Sequence, residues 1–347
     1  MADVKQDIRK LSKKELKDFF ISQGDMAFRA NQVYEWLWNK SAISFDEMTN
    51  LSKATRELLN NNFQINAIVL NDSQASSDRT IKSTFRLFDN NIVEGVLIPT
   101  KSRMTACISS QVGCSLSCKF CATGKLKRER NLDAAEIYDQ VVQIKKQAED
   151  TYNAPLTNIV YMGMGEPLLN YANMMQSVEY ITSDEGLGMA SKRITVSTAG
   201  IAKMIRKLGD DEVKFNLALS LHAANDAKRS QMMEINDTNS LTELRDALKY
   251  YFFKTKNHVT YEYILFDGFN DSIQDADELY QFTKHVPCKV NIIEYNPVSD
   301  TPFDKASGDA LDKFAAYLDK KGVMVQVRRS RGKDIDAACG QLAGKTN

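Results

Sequence analysis

Three cysteines fall within eight residues in GCSLSCKFCATG, at 113–124. Cys114, Cys118 and Cys121 have the spacing C-x3-C-x2-C. Thiolates this close hold a metal, yet tetrahedral zinc and the common iron–sulfur clusters take four protein ligands. Two readings are open. A zinc ion could be completed by a distant Cys107, Cys288 or Cys339, or by one of three histidines. A four-iron cluster with three protein ligands would instead keep one iron free to bind a substrate or cofactor.

Other short polar motifs accompany the triplet. MGMGEP at 162–167 puts Gly163 and Gly165 where backbone could approach a ligand closely, and Glu166 where a carboxylate could accept from an ammonium. Taken alone it is a Gly-rich strand-to-helix turn. Ser197 in STAG, Ser220 and His222 in SLH, and Asn296 in YNP are polar groups suited to a small ligand, though each by itself also fits a turn, a cap or a satisfied core residue. Lys119, Lys125, Lys127, Arg128 and Arg130 cluster around one Glu129, and Arg328, Arg329, Arg331 and Lys333 form a second basic run. Each run is a solvated face or, on a catalytic rim, a surface for a polyanion such as RNA. Cys339 follows the second run in a Gly- and Ala-rich loop, whereas an inert free cysteine is more often buried in a strand or helix.

The elements that must position these groups are legible. The 347 residues suit one large domain or two smaller ones, with 43% hydrophobic and 26% charged residues as in soluble globular proteins. No apolar run approaches the roughly 20 residues of a membrane helix, and the first residues are too polar for a secretory signal. A cytoplasmic location with reduced thiols is expected. Forty-five basic residues balance 45 acidic ones, so nucleic-acid binding must rest on local patches. Residues 1–62 read as a helical accessory domain in which LSKKELKDFF and NQVYEWLW place apolar residues three and four apart, and Trp36 and Leu37 pack a small core. Residues 63–102 form a hairpin region, where TIKSTFRLF and NIVEGVLIP flank an Asp89-Asn90-Asn91 turn. From 103 to 347 strand and helix patterns alternate. The strands are MTACIS, TNIVYMG, RITVST, KFNLALSL, VTYEYILF, KVNIIEY and VMVQV, and one helix starts at a capping box of Asp133 and Glu136. This predicts an α/β fold with a parallel sheet closed or partly closed into a barrel, whose chemistry sits at the strands' C-terminal ends. Every motif above falls at such an end.

A C-x3-C-x2-C loop after the first barrel strand resembles the signature of the radical S-adenosylmethionine (SAM) superfamily, with its partial (β/α) barrel. The phrases ACISSQVGCSLSCKFCATG, YMGMGEPLLN, ITVSTAG, LALSLHA, PCKVNIIEYNP and RGKDIDAACGQLAG stand in the order of one branch of it, spanning about 94–344. The chain resembles the RlmN/Cfr family of RNA methyltransferases, in its RlmN branch, which acts on adenine C2 of 23S rRNA and tRNA. The N-terminal helices resemble that family's accessory RNA-binding region. One local departure is Lys127-Arg128, where the family commonly has Gly-Phe.

The resemblance implies a set of roles. Cys114, Cys118 and Cys121 hold a [4Fe-4S] cluster, and SAM takes the open iron. Gly165, Glu166, Ser197, Ser220, Leu221, His222 and Asn296 contact SAM. Cys339 carries the methyl group, Cys107 is its partner thiol, and Glu94 accepts a proton. Adenine C2 is too electron-poor to attack a methyl cation equivalent, but a radical can add there. The implied route methylates Cys339, adds a methylene radical derived from it to C2, and releases the product as Cys107 and Cys339 form a disulfide, which an external reductant reopens. The base must be unstacked to reach such a site. A flavodoxin-like electron donor, no membrane and a monomer are expected. Three rivals remain: a Cfr-type C8 methyltransferase, a radical SAM enzyme acting on a small molecule or peptide, and a non-catalytic zinc-binding RNA module.

Overall fold

The computed structural model describes residues 5–344. The three- and four-residue apolar spacing forms helices α1 (Lys13–Ser22), α2 (Arg29–Trp38) and α3 (Lys53–Asn62). Ser12 and Glu15 cap α1 reciprocally. Leu37 is buried as expected, but Trp36 is only half-buried. The buried indole is Trp38, which stacks on Tyr180 with ring centroids 3.5 Å apart. The Tyr138 hydroxyl donates to the Trp38 carbonyl at 2.6 Å. The N-terminal helices therefore share one hydrophobic core with the rest of the chain and do not build a separate one.

A buried ion triad reinforces that docking. Arg9, in a 3-10 turn before α1, donates Nη1 to both oxygens of Asp139 at 2.9 and 2.8 Å. It also pairs with Asp7 at 3.3 Å. Backbone N–H groups of Asn66 and Ile68 donate to Asp7 and Asp139 at 3.2 and 3.1 Å, so every carboxylate in the triad is supplied with donors.

Strands β1 (Val69–Ala75), β2 (Ile81–Arg86) and β3 (Ile92–Pro99) form an antiparallel run, and β3 pairs with β4 (Met104–Cys107). The expected turn joins β2 to β3: Asn90 is left-handed, and Asp89 accepts from the Asn91 N–H at 3.1 Å. Polar, exposed β1 escaped the sequence reading, because it is an edge strand held by pairing and not by burial. From β4 onward the sheet is parallel: β5 (Asn158–Tyr161), β6 (Ile194–Thr198), β7 (Asn216–Ser220), β8 (Val259–Leu265), β9 (Cys288–Glu294) and β10 (Val325–Arg328). These are the seven expected strands. All ten strands form one sheet in strict chain order.

Helices make the crossovers, as parallel pairing requires. They are α4 (Ala134–Tyr152), α5 (Tyr171–Thr182), α6 (Ala202–Asp210), α7 (Asp226–Met232), α8 (Leu241–Thr255), α9 (Ile273–Thr283) and α10 (Gly308–Lys320). The Glu136 carboxylate accepts from the Asp133 N–H at 2.9 Å, starting α4 as the capping box predicts. Covered on both faces, β8 is buried at all seven positions. Edge strands β1 and β10 do not pair with each other, so the barrel is open.

The triad yields a prediction. Asp139→Ala should destabilise the chain by about 3 to 5 kcal/mol, since it leaves a buried guanidinium with only its longer contacts to Asp7 and removes the acceptor of the Ile68 N–H. Adding Arg9→Met should recover much of that loss in chemical denaturation, whereas additive losses would show that the charges are not coupled.

Candidate active site

The carboxyl ends of the parallel strands surround a cavity of about 230 Å³. The loop after β4 supplies its cysteines, and short-range constraints shape that loop. Gly113 is left-handed, and a Cβ there would lie 2.2 Å from the Lys127 carbonyl oxygen, so only glycine fits. A two-residue ladder, Gln111–Val112 against Arg130–Asn131, closes the loop. The Cys121 N–H donates to the Cys118 carbonyl and the Gly124 N–H to the Cys121 carbonyl, both at 3.1 Å.

Cys114, Cys118 and Cys121 all line the cavity. Burial raises the Cys114 thiol to about 11 and pushes Cys118 and Cys121 up as well. Among the described residues no three His, Cys, Asp or Glu side chains converge where one metal ion could sit. An iron–sulfur cluster, whose body stands between its ligands, needs thiols that face one space. Three cavity-facing thiols, Phe120 and an apolar wall fit such a group, which would displace the thiol protons on binding.

The strand-end motifs gather around the same cavity. Gly163, Gly165, Glu166, Ser197, Ser220 and His222 line it. The two glycines also pack closely within the chain. A Cβ on Gly165 (φ +94°) would meet Gln111 Cβ at 2.5 Å, and one on Gly163 would meet the Ile108 backbone at 2.7 Å. Their freedom serves close packing against the chain's own 108–111 segment. Glu166 is buried and accepts from Leu168 N–H at 3.0 Å and Ala199 N–H at 2.7 Å. Burial raises its carboxyl to about 7 against those two donors and Thr198. Ser197 and Ser220 hydroxyls approach to 3.4 Å. His222 Nδ1 accepts from the Ile264 N–H at 3.1 Å, and burial drops the ring to about 3, so it is a neutral imidazole packed edge-on against Phe120.

Three expected site residues stand behind this wall. Leu221 is core, and its carbonyl accepts from Arg229 Nε at 3.1 Å. Asn296 is buried and donates Nδ2 to the Cys339 carbonyl at 3.3 Å. Glu94 is buried, accepts from the Ala343 N–H at 2.8 Å and lies 3.8 Å from Lys82 Nζ.

The two remote cysteines come together. Cys107 ends β4 and Cys339 lies in the C-terminal loop, yet both line the cavity. Burial pushes Cys107 up to about 12, Cys339 raises it further, and Arg328 opposes the shift. Cys339 has accessible surface, which opens into the cavity, and enclosure by protein raises it to about 11. A cavity carboxylate escaped the sequence reading. Glu262 is buried in β8, accepts from Asn291 Nδ2 at 2.7 Å and meets Arg328 Nη1 at 3.4 Å. A lone carboxylate inside the apolar run VTYEYILF was the available signal.

The basic runs divide. In the C-terminal run every cation has a carboxylate: Arg328 with Glu262, Arg329 with Asp312, Arg331 with Asp78 and Lys333 with Glu294. It is largely spent on the fold. In the cysteine-loop run Arg130 forks onto Glu136 at 2.7 and 2.8 Å and onto Asp89 at 2.5 Å. Among the described residues Lys119, Lys127 and Arg128 have no ion-pair partner. No helix there is long and apolar enough to cross a membrane.

Comparison with known proteins agrees with this geometry. The family described as "Ribosomal RNA large subunit methyltransferase N-terminal domain" matches residues 6–65, and the radical SAM superfamily matches 108–282. A probable dual-specificity RNA methyltransferase RlmN of Cytophaga hutchinsonii is 62% identical over 98% of this chain and 93% of its own. The dual-specificity RNA methyltransferase RlmN of Geotalea uraniireducens is 42% identical over 98% and 97%. The crystal structure of a radical SAM methyltransferase from Sphaerobacter thermophilus superposes with a TM-score of 0.92 at 38% identity, covering 98% of this chain and all of the other. These relatives favour the RlmN reading over the Cfr-type alternative. The chain belongs to the RlmN family of dual-specificity radical SAM RNA methyltransferases, which use a [4Fe-4S] cluster and S-adenosylmethionine.

Proposed function

We propose that this chain methylates C2 of adenosine in 23S rRNA and tRNA, using Cys339 as the methyl carrier and Cys107 as its resolving thiol. One observation carries the assignment of the two sulfurs: Cys107 and Cys339, 232 positions apart in sequence, line the same cavity as the three-cysteine loop. Cys114, Cys118 and Cys121 would hold the cluster, and Gly165, Glu166, Ser197, Ser220 through His222 and Asn296 would form the shell for SAM. When bound, these groups supply a 5′-deoxyadenosyl radical and the methyl carbon.

The rest is the work of side chains. Glu166, with two backbone donors already engaged, retains lone pairs for an ammonium. Neutral His222 and Phe120 present an apolar, water-excluding wall. Asn296 holds the Cys339 backbone, so in this arrangement it orients the carrier loop as well as bordering the cofactor site. Arg328 stands near both thiols and favours the thiolate, the form in which Cys107 can attack sulfur. Glu94 accepts one hydrogen bond, from the Ala343 N–H, so the C-terminal loop holds a carboxylate that retains lone pairs for a proton from the base. The enzyme would work as a cytoplasmic monomer, with a flavodoxin-like donor for the cluster and a reductant for the disulfide. Incubation with RNA and labelled SAM under anaerobic conditions tests the reading. 2-Methyladenosine in the digested RNA is expected, and 8-methyladenosine would move the chain to the Cfr-type reaction.

Cys118→Ala should lose iron and SAM cleavage together, and full iron content with turnover would remove the triplet from the cluster site.

Neutralising Lys119, Lys127 and Arg128 should flatten the salt dependence of RNA binding by about 0.7 to 0.9 in log–log slope per lost phosphate contact. Arg130 is left out, because its carboxylate pairs make it part of the loop's structure. An unchanged slope would return these cations to a solvated face.

Removing Cys339 should leave no methyl on the protein and no covalent RNA. Cys107→Ala should accumulate an RNA–protein complex that survives denaturation and disappears with ribonuclease. Turnover by Cys107→Ala, or crosslinking without Cys339, would contradict the assignment.

A further inference from the structure

Residues 329–344 carry Cys339 yet form no strand, only a 3-10 turn at Lys333–Ile335. Without a ladder of backbone hydrogen bonds, such a segment is placed by the groups that meet it: Asn296 donates to the Cys339 carbonyl at 3.3 Å, and others hold its two ends. At the far end, the Ala122 N–H donates to the Gly340 carbonyl at 2.7 Å, and the Thr123 hydroxyl donates to the Leu342 carbonyl at 2.6 Å. At the near end, Glu294 pairs with Lys333 at 2.6 Å and accepts from the Ser330 N–H at 3.3 Å, and a second set of contacts comes from the turn between β1 and β2, on the opposite edge of the open sheet. Asp78 in that turn accepts from the Gly332 N–H at 2.9 Å and pairs with Arg331 Nε at 3.2 Å. Its carbonyl accepts from Arg331 Nη2 at 2.5 Å. Asp334 reaches back, accepting from the Ser76 hydroxyl at 2.5 Å and the Ser77 N–H at 3.0 Å. The turn is itself fixed, because the Tyr152 hydroxyl at the end of α4 donates to the Arg79 carbonyl at 2.5 Å. Gly332 is left-handed, and a Cβ there would meet Ala337 Cβ at 2.7 Å, so the contact demands glycine at its centre.

The clasp joins the two free edges of the barrel where strand pairing does not. Seven residues after Gly332 comes the exposed thiol that shares the cavity with Cys107. We propose that Asp78 and Asp334 are positioning residues for Cys339: the hairpin turn closes the barrel by clasping the C-terminal loop and keeps that thiol within reach of Cys107. This rests on the reading of Cys107 and Cys339 as a reacting pair.

Glutathione measures that reach directly and without turnover. The full-length, cluster-loaded chain, not exposed to SAM and carrying Cys288→Ala, is equilibrated anaerobically with set ratios of oxidised and reduced glutathione. One oxidised glutathione takes two electrons and two protons from Cys107 and Cys339, leaving one protein disulfide and two reduced glutathiones. The equilibrium constant is the effective concentration of one thiol at the other. Asp78→Ala and Asp334→Ala should each lower it about tenfold, the scale of one lost charge-assisted hydrogen bond. Asp78→Asn, which keeps an oxygen for the Gly332 N–H, should lower it less, and thermal midpoints should stay near that of the parent. A parental constant in both folded alanine variants overturns the proposal. Loss of cooperative unfolding in all three variants overturns it too, since the turn would then hold the fold as a whole. If the parent forms no Cys107–Cys339 disulfide at any ratio, it is the pairing of the two thiols that fails.

Discussion

Seven strands running the same way impose the constraint on which the rest of this molecule depends. Parallel pairing puts every strand's carboxyl end on one rim, and helical crossovers return the chain along the outside. Residues from distant parts of the chain therefore converge without any local sequence relation between them. The rim also gathers carbonyls that no further strand residue can satisfy. Arg229 answers several at once: it is fully buried and donates to the carbonyls of Ala199 at 2.5 Å, Ser220 at 3.2 Å and Leu221 at 3.1 Å. Burial lowers its pKa to about 10, yet it keeps its charge near neutral pH. Among the described residues no carboxylate pairs with it. Carbonyl dipoles offset that desolvated charge, and the negative end of any thiolate at Cys118 adds to them.

Charge is used in two ways. Where it is paired and partly buried it fixes geometry, as in the Arg9 triad and at Arg130, whose fork on Glu136 and Asp89 braces the base of the cysteine loop. Where it is unpaired and exposed, as at Lys127 and Arg128, it is available to a polyanion. One basic run can serve either purpose, and only the position of carboxylates elsewhere in the chain decides which. The same holds for the thiols. Five of the six cysteines share one cavity, while Cys288 opens β9 at the opposite end of the sheet.

An open barrel has two edges and a mouth, and both matter for an enzyme whose substrate is a macromolecule. Closing the barrel by a tenth-to-first strand ladder would fix the last segment rigidly. A side-chain clasp instead leaves the loop bearing Cys339 irregular, attached at each end and free of ladder bonds between. The Ala343 N–H donates to Glu94 at 2.8 Å, so the loop that carries Cys339 also contacts the proposed proton acceptor. One short segment thus connects the carrier thiol and the proposed proton acceptor.

The sequence by itself determined the periodic and the local. Alternating strand and helix patterns exposed the seven parallel strands, because a strand buried on both faces must be apolar throughout and a crossover helix must be amphipathic. The cysteine spacing, the Asp133–Glu136 cap and the Asp89–Asn91 turn were legible for the same reason: each is set by neighbours within a few positions. Tertiary structure decided what depends on distant partners. Polar β1 exists only by pairing, Trp38 and not Trp36 is buried because Tyr180 offers it a face, and Gly163 and Gly165 are needed for the approach of Ser109 and Gln111. Cys107 and Cys339 come to line one cavity, and Arg328 and Arg331 meet Glu262 and Asp78, only once the sheet has curled, because no spacing along a chain encodes a contact between distant strands.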